Sequence, residues 1–149
     1  MIQIKEKLKV NAEDFFRQLS ESVVYDASEA VGRKVVLEEL HEGYRYQKMI
    51  KNKIGMAGNV EVHILSWKPP YHYEVEFLSS NGINRLRYEV EEDVEAGIWV
   101  SYMENFEGNS KTLDLNFKIM SIFMNRSTKK RAKYLLHAME EHLLERNKK

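Results

Sequence analysis

Between Ser110 and Arg146, apolar residues recur mostly at steps of three or four: Leu113, Phe117, Met120, Met124, Ala132, Leu135, Met139 and Leu143. That is the period of an amphipathic helix, and its apolar stripe needs a surface to cover it. Gly108 closes the preceding run, and Asn109 and Ser110 supply cap chemistry. The second half presents Lys129, Lys130, Lys133, Glu140, Glu141 and Arg146 to water. The first half adds Leu115, Ile119, Ile122 and Phe123, so it is deeply covered or meets another chain. A straight helix of this span measures about 55 Å at ~1.5 Å per residue, longer than a domain of about 35–40 Å. The spacing therefore predicts a break or bend near Asn125–Thr128, where helix-poor residues cluster.

The surface for that helix is a run of strands. Ile2, Ile4, Leu8 and Val10 alternate with Gln3, Lys5, Lys7 and Lys9, which predicts a strand with one wet face. Asn11 then caps a helix over 12–31, with Glu13 and Asp14 in its first turn and Gly32 as its stop. A bend near Ser20–Ser22 would divide it, so one or two short helices are expected after the first strand. The segment Lys34–Leu40 reads equally as strand or helical turn. From Gly43 to Phe106 the alternation is continuous. Tyr44, Tyr46 and Ile50 share one parity, then come Val60, Val62 and Ile64, then Tyr73, Val75 and Phe77. Leu86, Tyr88 and Val90 follow, and finally Ile98, Val100, Tyr102 and Phe106. A loop at Asn52–Gly58, a turn at Lys68-Pro69-Pro70, another at Ser79–Gly82 and an acidic one at Glu91–Gly97 separate them. Five strands on short turns make an antiparallel meander, and the opening strand can pair with the last. The class is α+β, a curved antiparallel sheet of six or seven strands with helices on one face.

Residues 1–149 form one domain, with two prolines and no low-complexity linker. Lys plus Arg and Asp plus Glu each number 23, which argues against nucleic-acid binding through bulk charge. There is no cysteine, so neither a disulfide nor thiolate chemistry is available. No apolar run approaches the ~18 residues of a membrane span, and the first residues read as strand, not signal peptide. The expectation is a cytoplasmic protein with no cofactor.

The order of elements, with Trp67-Lys68-Pro69-Pro70-Tyr71 between two mid-sheet strands and a long final helix, resembles the START-like, helix-grip (SRPBCC-type) superfamily. Lys68 stands where many members carry an acid. More specifically, the chain resembles a family from Gram-positive bacteria known as a domain of unknown function. The stretches Asn11-Ala12-Glu13-Asp14-Phe15-Phe16, Val24-Tyr25-Asp26 and Ser127-Thr128-Lys129-Lys130-Arg131-Ala132-Lys133 carry that resemblance. It implies a sheet wrapped around the C-terminal helix. It implies no active-site residue, because the superfamily hosts carriers, receptors, cyclases and chaperone cofactors alike.

Four constellations could carry function. Strand parity puts Tyr44, Tyr46, Tyr73, Tyr88 and Tyr102 on the concave face with Val62, opposite Phe117, Met120 and Met124 of the helix. Tyrosines there supply apolar area and a few hydrogen bonds to a ligand, or are ordinary core. Glu6, Lys48 and Glu104 share the apolar parity of their strands, where a charge is costly unless paired. If the outer strands bring Glu6 and Glu104 together, one becomes an acid/base candidate; otherwise each sits at a wet rim. His41, His63, His72, His137 and His142 show no metal-ligand spacing, although His63 and His72 could be cross-strand neighbours, so no metal is expected. Arg126, Lys129, Lys130, Arg131 and Lys133 put five bases in eight residues, a phosphate or lipid site or simply a solvated helix face.

Three functions fit this pattern. The first is a module binding a small apolar or amphipathic molecule between sheet and helix. The second is a cyclase- or dehydratase-like enzyme using a cavity carboxylate. The third is a protein-interaction domain, such as a homodimer, with a filled core. The first is preferred, and an enzyme is the less favoured reading.

Overall fold

A computed structural model of the chain describes residues 2–51, 57–80, 82–108 and 114–148, and leaves the side chains of 50, 51, 57, 108 and 114–128 outside that description. The elements run β1 (Ile2–Leu8), α1 (Ala12–Val31), a 3₁₀ turn (Leu37–Glu39), β2 (Arg45–Lys51), β3 (Ala57–Lys68), β4 (His72–Ser79), β5 (Gly82–Glu92), β6 (Ile98–Gly108) and α2 (Asp114–Asn147). One six-stranded antiparallel sheet has the order β1-β6-β5-β4-β3-β2. The first strand closes onto the last, as the alternation predicts. The Lys68–Tyr71 turn contains a cis Pro69–Pro70 bond.

Both helices pack on the same face of the sheet. Leu8, Val10, Phe15, Val90, Ile98 and Val100 form one core cluster with Ala132, Leu136 and Leu143 of α2. Phe16, Leu19, Val23 and Ala27 of α1 form a second with Tyr46, Val62, Ile64, Tyr73 and Val75. The parity inferred for Val60, Val62, Ile64, Tyr73 and Val75 is the observed one, since all five are buried. A bulge between Ile64 and Ser66 shifts the register. Beyond it Trp67 packs edge-on against both Phe16 and Tyr73.

Four expectations change. Residues 12–31 form one helix, not two. Asn11 Oδ1 caps Asp14 N–H at 2.7 Å, and Gly32 closes the helix at φ 72°. Ser20 Oγ donates to the Phe16 carbonyl at 2.7 Å and Ser22 Oγ to Gln18 at 3.2 Å. These hydroxyls are thus satisfied without breaking the helix. Second, α2 is continuous through Asn125–Thr128. Each helix-poor residue costs only up to about 0.7 kcal/mol, which an unbroken backbone ladder offsets. Third, the buried stripe of α2 is Ala132, Leu136, Met139 and Leu143, while Leu135 is 54% exposed. Fourth, His63 pairs across the strands with Glu76 and His72 with Lys68, so the two histidines are not neighbours. The caps at Asn109 and Ser110, Leu113, most of the 52–58 loop and the side chains of Leu115, Ile119, Ile122, Phe123 and Arg126 lie outside the described residues.

Candidate functional site

The site is built on the concave face, where antiparallel register lines up the rings. Tyr73 faces Tyr88 on the next strand, and Tyr88 faces Tyr102 on the one after. Their centroids lie 6.0 and 5.1 Å apart, and Trp67 extends the row 5.4 Å from Tyr73. Tyr44 and Tyr46 form a separate tilted pair at 6.0 Å on the β2 side. Val62 is completely buried opposite Tyr46. The predicted tyrosines therefore share one face, split into two groups. The side chains of Phe117, Met120 and Met124 lie outside the described residues.

Burial pushes the Tyr88 hydroxyl up to about 12, with the Glu104 charge adding to it. Burial also raises Tyr46, Tyr73 and Tyr102. A hydrogen bond to Asp26 reinforces the effect at Tyr46, and the neighbouring Tyr88 and Glu104 reinforce it at Tyr102. All four are protonated near neutrality, so they act there as hydrogen-bond donors rather than bases.

A cleft of about 60 Å³ opens between the row and α2. Tyr88, Tyr102 and Glu104 line it from the sheet, and Arg131, Ala132, Leu135, Leu136 and Met139 from the helix. Leu136 is buried in its wall and Leu135 stands exposed at its mouth. Glu104 is the polar centre. Its Oε2 accepts from the Tyr102 hydroxyl at 2.9 Å, and its Oε1 accepts from Asn84 Nδ2 at 3.1 Å. Asn84 Oδ1 is buried without a hydrogen bond.

The three charged residues do not converge. Register places Glu104 opposite Ile2 and Glu6 opposite Val100. The two acids are thus four residues apart along the strands, about 13 Å at ~3.3 Å per residue. Glu6 faces Lys133 Nζ at 3.9 Å and His137 Nε2 at 4.0 Å on α2. His137 Nδ1 in turn lies 3.1 Å from Glu140, whose other oxygen accepts from Lys9 N–H at 2.6 Å. This group fastens α2 to the end of β1. Lys48 belongs to the opposite rim. Its ammonium donates to both oxygens of Asp26 at 3.1 and 3.2 Å and sits 5.3 Å from the Phe77 ring centre. Tyr46 donates to Asp26 Oδ2 at 2.5 Å.

Three participants escape the sequence reading. Asp26 lies one position before the buried Ala27 on α1, and that adjacency was the available signal. Asn84 has the concave parity of Leu86 and Tyr88. Arg131 is grouped by sequence with a solvated basic run, but borders the cleft. Among the described residues, no group of three His, Asp or Glu side chains is placed to hold a metal ion. No helix among them is long and apolar enough to cross a membrane.

A six-stranded antiparallel sheet with two helices packed on one face, the longer one C-terminal, defines a helix-grip α+β fold of the SRPBCC type. The chain belongs to the family described as domain of unknown function (DUF3284), which matches residues 2–125. No curated protein matches it in sequence. Solved structures share the fold at low identity. A protein of unknown function, SA2116 from Staphylococcus aureus, is 14% identical, with 99% of this chain and 94% of that one covered at a TM-score of 0.66. StfQ, a di-domain ARO/CYC protein of the steffimycin biosynthetic pathway, is 11% identical, with 99% and 51% covered at 0.64. Ara h 8.0201 is 10% identical, with 83% and 92% covered at 0.54.

Proposed function

We propose that the protein binds a small amphipathic molecule in the cleft between the tyrosine row and α2. The observation that supports this is the make-up of the cleft wall. Leu135, Leu136, Met139 and the Tyr88 ring provide apolar surface, and Glu104 and Arg131 provide two separate charges. Apolar walls with a few placed polar groups are the usual design of ligand sites. Such sites commonly measure about 300–1,000 Å³. The described walls enclose about 60 Å³, so a ligand inserts one end and leaves the other at the mouth. The methionine adapts to varied shapes.

The test uses 8-anilinonaphthalene-1-sulfonate, an amphipathic fluorescent probe, with Leu135→Trp as the variant. Leu135 is more than half exposed, so a bulky ring there obstructs the mouth without entering the core. Saturable binding to the native chain, weakened about tenfold or more in the variant, supports the site. No saturable binding, or equal binding to both, removes it.

A second reading has one specific observation behind it. Glu104 faces the cleft with the Tyr102 hydroxyl bonded to it, a carboxylate and a proton donor side by side. That pair suits dehydration of a β-hydroxy ketone: the carboxylate takes the α-proton, the Tyr102 hydroxyl steadies the enolate oxygen, and the protonated Glu104 returns the proton to the β-hydroxyl as its C–O bond breaks and water leaves. Turnover of a β-hydroxy ketone substrate that disappears in Glu104→Gln would favour it. Binding without turnover leaves the first reading.

A further inference from the structure

We propose that the ligand is a small organic carboxylate with a hydrogen-bond donor at its far end, its carboxylate held by Arg131 at the mouth and its donor directed to Glu104 inside. This rests on the cleft being a binding site and goes on to name the chemistry that fits it.

The mouth is cationic. Arg131 lines the cleft and makes no ion pair or hydrogen bond among the described residues. The other bases nearby behave differently: Lys133 is turned toward Glu6, while Lys129 and Lys130 are exposed on the helix. Arg131 is therefore the cation that borders the opening. Its planar fork is built to take a carboxylate through two parallel hydrogen bonds. Among the described residues, Glu104 is the only acid on the wall of this cleft, and it is engaged by Tyr102 and Asn84 rather than by Arg131.

The interior asks for a donor. Glu104 accepts one hydrogen bond on each oxygen, which leaves lone pairs open on both. Asn84 is turned so that its amide N–H serves Glu104, which strands Oδ1 as a buried acceptor with no donor. Asn84 itself stands behind the cleft wall, so Glu104 is the acceptor that a ligand hydroxyl meets. A second anion inside would meet the Glu104 charge, so the carboxylate belongs outside and the donor inside.

Size narrows the choice further. About 60 Å³ is below the roughly 150 Å³ of a cavity that encloses benzene. The cleft therefore takes in only part of a molecule, the edge of a ring or a few carbons of a chain, and an unbranched chain fills it with the least left outside.

The test compares four probes of one length on the full chain at neutral pH by NMR titration: 6-hydroxyhexanoate, 1,6-hexanediol, hexanoate and 6-amino-1-hexanol. The expected result is that 6-hydroxyhexanoate binds about tenfold more tightly than the diol, a usual size for one charge-assisted contact. Hexanoate falls between the two, and the amino alcohol, which has no anion for Arg131, binds more weakly than 6-hydroxyhexanoate. Arg131→Glu abolishes the preference for the carboxylate, and Arg131→Lys keeps part of it. Arg131 is exposed, so neither change disturbs the core. The proposal is overturned if the diol or the amino alcohol binds as tightly as 6-hydroxyhexanoate, if hexanoate equals it, or if Arg131→Glu keeps the preference. In those cases the cleft still binds, and only the named chemistry is wrong. If none of the four binds while the anilinonaphthalene probe does, the class is again wrong. If that probe fails as well, the cleft itself is not a site.

Discussion

The Tyr102 hydroxyl donates a 2.9 Å hydrogen bond to Glu104 Oε2, two residues farther along β6 and on the same face of the sheet. The carboxylate is held in the cleft by this bond and by Asn84. Tyr102→Phe removes one donor and leaves the ring's packing against Tyr88. We expect a loss of about 1 kcal/mol in urea denaturation, in the usual range for one such bond. Probe binding should also change, because Glu104 is then free to turn. A variant as stable as the native chain, with unchanged binding, would show that Asn84 alone sets the carboxylate.

Asp26 ties α1 to the edge strand β2 through Tyr46 and Lys48. Tyr46 is 6% exposed, so its hydroxyl has little access to water once Asp26 is removed. Asp26→Ala should cost about 1–2 kcal/mol, chiefly from that stranded hydroxyl. Tyr46→Phe should then cost little more when added to it. A double-mutant cycle should give a coupling of at least about 0.5 kcal/mol. Strict additivity would mean that water already satisfies Tyr46 and that Asp26 serves Lys48 alone.

The parts of this molecule that could be read from the sequence are those set by period. The strands alternate cleanly because one face is buried and the other wet, so Val62, Tyr73 and Val100 were assignable to the core side. Register is a different quantity. Parity told that Glu6 and Glu104 share a face, but only the pairing of Ile2 with Glu104 shows that they stand four residues apart. The continuity of α2 was missed because propensity is weak beside a long hydrogen-bonded ladder. Arg131 was hidden within a basic run whose members point around the whole helix. At 100° per residue, Arg131 and Leu135 fall on one flank of the Ala132–Leu136 stripe and Lys129 and Lys133 on the other. Asp26 and Asn84 carry no local signature, because their roles arise only from what folding brings against them.

The buried tyrosines make the fold sensitive to alkali. An acid whose folded value lies above its unfolded value binds its proton more tightly when folded. Its contribution is complete below about 10 and is lost as pH rises through the folded value. For Tyr88, with burial lifting it to about 12, the window is about pH 10 to 12, and the contribution is on the order of 2 kcal/mol. Tyr46, Tyr73 and Tyr102 shift in the same direction. Urea midpoints should therefore fall steeply above pH 10, and less steeply in Tyr88→Phe. Equal slopes for the two proteins would show that Tyr88 reaches solvent without unfolding.

Gly97, just before β6, combines two constraints. Its φ is +80°, and a Cβ built there would lie 2.5 Å from the Leu8 carbonyl oxygen. The neighbouring Asp93 is anchored to Lys7 at 2.6 Å, so the turn and the end of β1 hold each other on both sides. Gly43 is the natural control. It also has a positive φ, +93°, but no atom within 4 Å of the would-be Cβ. Gly43→Ala should show backbone strain alone, about 1 kcal/mol. Gly97→Ala adds a contact with main chain that cannot rotate away, and should cost about 2–3 kcal/mol in urea denaturation. The excess of the second over the first measures how firmly β1 is held against the β5–β6 turn. Equal costs would mean that the end of β1 gives way, and amide exchange at Lys9 and Val10 would then quicken in the Gly97 variant.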